Sequence, residues 1–198
     1  MLRKIQDHKI FSSNDIKKSE DINLKEIPIS NIFQTPIDTG FYHVSSDLDK
    51  GKTPLISCSS INDGVEEYVD VEDEITVIKR NKEEIIKTTY NKGITIASDG
   101  MPLSTFYHYY KFCAKDNVLV CFPKREYRFT TILYLVSELN RLKWRFSYGR
   151  KAYKNKIDKI KIFIPLDKNE DIAEDYIEKT VKTVSSWDIL ERLFSGAQ

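Results

Sequence analysis

Short runs of apolar, β-branched and aromatic residues recur along the chain between polar turn segments, and this pattern is typical of strands. The pattern predicts strands at residues 65–69, 75–78, 85–89, 105–112 and 118–122. Strand-like sequence begins at Ile27, after a polar and lysine-rich stretch. Short strands of this kind, separated by turn residues, favour a fold with a mostly β core.

One central segment has the period of a helix. Ile132, Leu135, Val136 and Leu139 stand at i, i+3, i+4 and i+7, which predicts an amphipathic helix over residues 128–142. The isoleucines that follow predict one strand ending at Pro165: Ile157, Ile160, Ile162 and Ile164.

The C-terminal stretch, residues 170–194, also has helical spacing, and Ser185 and Ser186 predict the start of a second short helix within it. The fold class predicted is therefore α+β, with short strands, one central amphipathic helix and a C-terminal helical segment. We divide the chain into a polar N-terminal tail (1–26), one folded domain (27–168) and the C-terminal helical segment (169–198).

Charge is segregated along a chain that is almost neutral overall. Hydrophobic residues make up 40% and charged residues 31%, and the net charge is +1, so overall charge does not indicate a nucleic-acid partner. Residues 141–161, here called the basic stretch, nevertheless contain nine basic residues and one acid, Asp158. Aromatic residues are interleaved with them. The basic stretch is either a solvated charged face or a surface that contacts phosphates.

Motifs for nucleotide loops, nucleophilic elbows and metal ligands are absent from the sequence. The three cysteines have no C-x-x-C spacing, and the histidines are isolated, so we expect no cofactor and no metal. His108 is interpreted as a packed or surface strand residue, and Cys113 and Cys121 as core residues. No apolar run approaches the roughly 20 residues of a membrane span, and no signal segment begins the chain, so we expect a cytoplasmic protein.

Four phrases then occur in a fixed order. They are G-x-x-P-L-I-S-x-S-x-x-N-D-G-V-x-x-Y at 51–68, N-K-G-I-T-I-A-S-D-G at 91–100, F-S-Y-G-R-K at 146–151, and K-I-x-K-I-K-I-x-I-P-L at 156–166. Together they resemble the target recognition domain of type I restriction-modification specificity (S, HsdS) subunits, and the related DNA-reading domains of type IIG enzymes. The resemblance covers about residues 27–182.

The resemblance implies a non-catalytic protein that reads a few base pairs of double-stranded DNA for a DNA methyltransferase subunit, with a restriction subunit as a further partner. The family's specificity subunits usually carry two such domains separated by long helices. This chain has room for one. It is therefore either a half-subunit that forms a homodimer or the reading domain of a larger assembly.

Base-reading and phosphate-contacting residues are predicted from their chemistry, because Arg and Lys recognise guanine and Asn recognises adenine. Candidates for base reading are Ser59, Ser60, Asn62, Lys79, Arg80, Lys82, Arg125 and Arg128. Candidates for phosphate contact are Tyr148, Arg150, Lys151 and Lys154. Residues 59–64 have an equally simple interpretation as a tight turn, because Asn, Asp and Gly accept positive φ.

Two other functions stay open. The chain is alternatively an adaptor that binds a methyltransferase or nuclease partner without reading DNA, through the acidic residues 66–74 and apolar C-terminal side chains. The apolar side chains are Trp187, Ile189, Leu190, Leu193 and Phe194. In the alternative interpretation they pack on the chain's own core. A nuclease is the third possibility, although the sequence shows no carboxylate cluster in the predicted core.

Overall fold

The computed structural model describes residues 22–38, 48–71, 74–78, 84–147 and 149–195, with the backbone alone for 74–78, 84–88 and 193–195. Its strands are β1 (Asn23–Pro28), β2 (Ile37–Asp38), β3 (Lys50–Ile56), β4 (Val65–Val69), β5 (Glu74–Ile78), β6 (Glu84–Thr88), β7 (Gly93–Ala97), β8 (Thr105–His108), β9 (Cys113–Ala114), β10 (Val118–Cys121) and β11 (Lys161–Leu166). Its helices are α1 (Phe129–Arg141), α2 (Lys154–Ile157), α3 (Glu174–Lys182) and α4 (Trp187–Ser195).

The central sheet has the strand order β2-β10-β7-β8, and all of its pairs are antiparallel. Successive residues of β10 point to opposite faces, as the pleat of a strand requires. Leu119 and Cys121 enter the main core together with α1. Val118 and Val120 enter a second core with Phe112, which lies towards the β4-β3-β9 sheet. The sheet is therefore covered on both faces.

Helix α1 lies on one face of the central sheet, where its apolar stripe was predicted. Ile132, Leu135 and Leu139 are buried, and the helix begins and ends within one residue of the predicted bounds. Ile177 and Val181 of α3 pack into the same core. In α4, Leu190 is buried and Trp187 packs against the core, so these two side chains contact the chain's own interior.

Strand β11 differs from its prediction. The strand begins at Lys161 and pairs antiparallel with β1, whereas Ile157 lies in α2. Ile157 and Ile160 are three residues apart, so a single helical turn buries both on the same side, as a strand would not. The expectation of one strand through all four isoleucines is wrong. In addition, β1 begins at Asn23, inside the segment that the sequence assigned to the polar tail.

The aromatic segment 105–112 is also shorter as a strand than expected. β8 ends at His108, and the Tyr110 hydroxyl lies 3.1 Å from His108 Nδ1. Burial is complete for the His108 side chain and lowers its pKa to about 3, so the imidazole is neutral. Cys113 and Cys121 are buried as predicted, and burial raises the pKa of both thiols to about 12.

In the residues that the structure describes, no helix combines the length and the apolar character that crossing a bilayer requires.

Candidate nucleic-acid interface

Three connections meet at one end of the two sheets, and we call residues 57–64, 98–104 and 115–117 the loop cluster. They follow β3, β7 and β9. Because Val118 of β10 pairs with Ala97 of β7, the connection 98–104 starts beside the end of the connection 115–117. Ser98 fixes them together, since its backbone N–H and its hydroxyl donate to the Asn117 carbonyl at 2.7 and 2.8 Å.

Cys58 joins the third connection to the other two. Its thiol donates to the Asn117 carbonyl at 2.9 Å, and its own carbonyl accepts from the Met101 N–H at 3.2 Å. Gly100 has φ +58° at this contact, and a Cβ there would lie 3.0 Å from the Cys58 carbonyl oxygen. Both the conformation and the space therefore require glycine at this position.

Residues 59–64 form a tight turn of the predicted kind. Asn62, Asp63 and Gly64 all have positive φ. The Asn62 amide donates to the Val65 carbonyl at 3.2 Å, and the Ser59 hydroxyl accepts from the Ile61 N–H at 3.1 Å. These bonds hold the turn and still leave the Asn62 side-chain carbonyl and the Ser59 hydroxyl proton available to a ligand.

Backbone strain is concentrated in the loop cluster. Five residues other than glycine have positive φ in the part of the chain that the structure describes, and four belong to the loop cluster: Asn62, Asp63, Leu103 and Asn117. Leu103 is fully buried in this conformation. Residues held in sparsely populated backbone conformations collect at functional sites, because surrounding contacts must maintain them.

Part of the basic stretch, residues 149–154, lies against the loop cluster, and we call it the basic segment. The Ala152 N–H donates to the Ser98 carbonyl at 2.9 Å. Lys151 forms an ion pair with Asp99, and the hydrogen bond from its ammonium group is the main reason that the pKa of Asp99 is lowered. The structure thereby places the segment of the predicted Arg150, Lys151 and Lys154 against the connection 98–104. That connection also contacts Cys58, the residue before the predicted Ser59 and Ser60.

Gly149 stands at the start of the basic segment with φ +86°, and a Cβ at this position would meet nothing within 4 Å. Glycine is therefore needed here for the conformation of the turn, in which the Arg150 N–H donates to the Ser147 carbonyl at 2.7 Å.

Most cations of the basic stretch are exposed. Arg141 pairs at 2.8 Å with Glu138, whose carboxyl is buried and has its pKa raised by that burial. Lys156 lies 5.4 Å from the centre of the Tyr153 ring. Besides Lys156, the exposed cations that form no ion pair with a described residue are Arg145, Arg150, Lys154, Lys159 and Lys161. A phosphate could therefore approach these five without displacing a carboxylate.

Arg125 and Arg128 lie elsewhere, before the N-terminus of α1. Arg128 Nη1 is 2.5 Å from Asp175 and 2.8 Å from Glu178 of α3, and Arg125 is 3.7 Å from Glu174. The other end of α1 meets the first residue of β8, directly after the loop cluster, because the Asn140 amide donates to the Thr105 carbonyl at 2.7 Å. The two arginines are thus separated from the loop cluster by the helix length, about 20 Å at 1.5 Å per residue.

Four predicted residues lie outside the described residues: Lys79, Arg80, Lys82 and Tyr148. Conversely, the sequence reasoning missed Asn117, whose carbonyl receives bonds from both Ser98 and Cys58. The signal was present, because Asp116 and Asn117 form a polar turn pair between two buried strands. Among the described residues, no group of three or more His, Cys, Asp or Glu side chains is placed to hold a metal ion.

An α+β core whose polar loops border exposed cations is typical of nucleic-acid-binding domains. The chain belongs to the family of type I restriction modification DNA specificity domains, whose model matches residues 18–191. The family resemblance noted in the sequence is therefore confirmed. A search of curated proteins gave no significant match.

Two solved structures share the fold. One is the S subunit of a type I restriction-modification system from M. genitalium, with 18% identity and a TM-score of 0.60, covering 99% of this chain and 49% of that chain. The other comes from work on complex assembly and conformational transition of the type I R-M system, with 12% identity, a TM-score of 0.55, and coverage of 99% and 45%. This chain spans about half the length of each. The predicted fold class is confirmed by these likenesses.

Proposed function

We propose that this chain binds double-stranded DNA in a sequence-dependent manner, as the specificity component of a restriction-modification or DNA methyltransferase complex. Membership of a DNA specificity family supports the proposal. The observation that carries it is the contact between the basic segment and the loop cluster, through Ala152 with Ser98 and Lys151 with Asp99. Groups suited to phosphates and groups suited to base edges therefore lie beside one another.

In this proposal the basic segment contacts the phosphate backbone. Arg150 and Lys154 are exposed and form no ion pair with a described residue, so they meet a phosphate without losing an existing partner. Lys151 exchanges Asp99 for a phosphate, so one charge-assisted contact replaces another. Tyr148 is included among the phosphate contacts because a tyrosine hydroxyl can donate a hydrogen bond to a phosphate oxygen.

The turn at residues 59–64 is proposed to reach base edges in a groove. Its tip is exposed at Ile61 and Asn62. The Asn62 side-chain carbonyl and the Ser59 hydroxyl proton are left to form hydrogen bonds with base edges. A good contact of this kind discriminates between bases by about 1–3 kcal/mol. Ser60, Lys79, Arg80 and Lys82 complete this set as sequence-based candidates. Arg125 and Arg128 join it only if DNA displaces the acids of α3.

Catalysis is assigned to a partner, a DNA methyltransferase subunit, with a restriction subunit as a further component. Because the chain spans about half the length of the related solved structures, two copies would together supply two reading domains. We therefore include a homodimer as a half-specificity subunit in the proposal.

Selection of bound duplexes from a random pool tests the function. We expect the chain to enrich duplexes that share a short defined sequence, and variants at Asn62 and Ser59 to change which sequence is enriched. Duplex binding without any enriched sequence would contradict base reading. Absence of duplex binding at low salt would favour the adaptor alternative, in which acidic residues such as Glu67 and Asp70 bind a protein.

A further inference from the structure

An open cleft of about 550 Å³ lies where the loop cluster meets α2. Its volume falls within the range of about 300–1,000 Å³ that is usual for small-molecule sites. Leu119 is buried at its base, and Asn117, Tyr153, Lys154, Asn155 and Asp158 line it. The base-reading and phosphate roles proposed above use one of these residues, Lys154.

The polar side chains of the cleft are available to a ligand. The amides of Asn117 and Asn155 and the carboxylate of Asp158 form no hydrogen bond or ion pair with another described side chain. Asp158 is the one acid among the nine cations of the basic stretch, yet it faces the cleft without a cationic partner among the described residues. A carboxylate in such surroundings, left unpaired, is suited to accept hydrogen bonds from a ligand's amino group.

The wall that carries these residues is held in place. Ala152 is bonded to Ser98, and Ile157 of α2 is fully buried. Tyr153 is half exposed, and Lys156 lies near its ring. An exposed aromatic ring beside amide, carboxylate and ammonium groups matches the parts of a nucleotide, namely a flat base with a polar edge and a phosphate.

We propose that this cleft binds a single nucleotide. Its base lies against Tyr153 and Leu119, its polar edge meets Asn155 and Asp158, and its phosphate meets Lys154. Because a carboxylate accepts from an exocyclic amine and repels a carbonyl, adenine, cytosine and guanine fit better than thymine. The nucleotide comes either from the bound duplex, extruded from the stack, or from free solution.

The inference deepens the proposed function, and it rests on that function only where the nucleotide comes from the bound duplex. An unpaired base costs least to extrude, so a bulged nucleotide is the probe of choice. We would measure the affinity of the full chain by fluorescence anisotropy for a short duplex with one bulged adenine, with one bulged thymine, and with no bulge. Binding of deoxyadenosine monophosphate, measured by calorimetry, tests the second source.

We expect the bulged-adenine duplex to bind about tenfold more tightly than the fully paired one, with less gain for thymine. The double variant Asn155→Ala/Asp158→Asn should lose that gain and keep its affinity for the paired duplex. The matched control is Asn169→Ala/Asp171→Asn, which makes the same chemical changes in the exposed turn after β11 and should behave as wild type. Thermal unfolding of both variants establishes that they are folded.

The outcomes separate the sources. If excess mononucleotide does not abolish the bulge preference, the cleft is assigned to a nucleotide of the duplex. If the chain binds mononucleotide and the double variant does not, the cleft is assigned to the free nucleotide. The inference is overturned if the chain shows neither a bulge preference nor mononucleotide binding. It is also overturned if the double variant retains either one. Failure to bind any duplex defeats the proposed function, while the mononucleotide measurement still decides the cleft.

Discussion

The α1–α3 junction and the basic segment use cations in opposite ways. At the junction, Arg128 lies between two carboxylates of α3, and its charge joins two helices. In the basic segment, Arg150 has no acidic partner among the described residues, and Lys151 pairs with the partly buried Asp99. The same residue types therefore stabilise the fold in one region and remain available to a polyanion in the other. The difference lies in the acids that folding places opposite them.

The largest effect that we predict is on stability in acid. His108 lies at the end of β8 away from the loop cluster, where its Nε2 is 2.7 Å from the Thr95 hydroxyl, and burial lowers the pKa of His108 from 6.5 to about 3. Because the unfolded state binds the proton first, stability present above pH 6.5 is lost as pH falls towards 3, by about 1.4 kcal/mol per pH unit. Denaturant unfolding across this range measures the slope.

His108→Gln should remove this slope, whatever it does to stability at neutral pH. The α1–α3 junction responds to pH in a lower range. Hydrogen bonds from Lys182 and then Arg128 lower the pKa of Glu178, so the stability that the ionised Glu178 contributes is lost only below about pH 4.5. An unchanged slope between pH 6.5 and 4.5 in the variant would show that another group is responsible.

The second prediction concerns DNA affinity. Arg150→Ala combined with Lys151→Ala should weaken binding of every duplex by about tenfold to a hundredfold, since two charge-assisted contacts are lost. The slope of log affinity against log salt should become shallower by about 2. A salt titration by fluorescence anisotropy measures both quantities. Unchanged binding in that titration would remove the phosphate role of the basic segment.

The third prediction breaks the loop cluster without changing charge. Gly100→Ala should destabilise the protein by about 1–2 kcal/mol, because the new Cβ meets the Cys58 carbonyl and alanine disfavours φ +58°. We also expect weaker discrimination among duplex sequences, with the salt slope unchanged. Gly149→Ala is the matched control, because it imposes a similar φ with no atom within 4 Å. Equal effects of the two variants would show that the contact with Cys58 is unimportant.

The smallest effect is expected at the α1–α3 junction. Arg128→Ala removes two exposed ion pairs, which are weak in water, so the melting temperature should fall by at most a few degrees. The affinity for DNA and its salt slope should not change. A shallower slope would instead place Arg128 on the DNA-binding surface, as the sequence alone suggested.

Elements whose residues contact their sequence neighbours were predicted well. The apolar face of α1 repeats every turn and agrees with its burial, and β4 matches its predicted bounds. The turn at Asn62 and Asp63 followed from their tolerance of positive φ. The isoleucine segment was mispredicted, because Ile157 and Ile160 fit a helical turn as well as a strand when only spacing is considered.

The sequence by itself determined the α+β class, the central helix, the tight turn and the local excess of cations, since each depends on residues close together in the chain. The tertiary structure alone decided which cations are free. Lys151 meets an acid 52 positions earlier and Arg128 meets one 47 positions later, while Arg150 meets none among the described residues. Electrostatic partners depend on distance in space, which chain spacing does not encode.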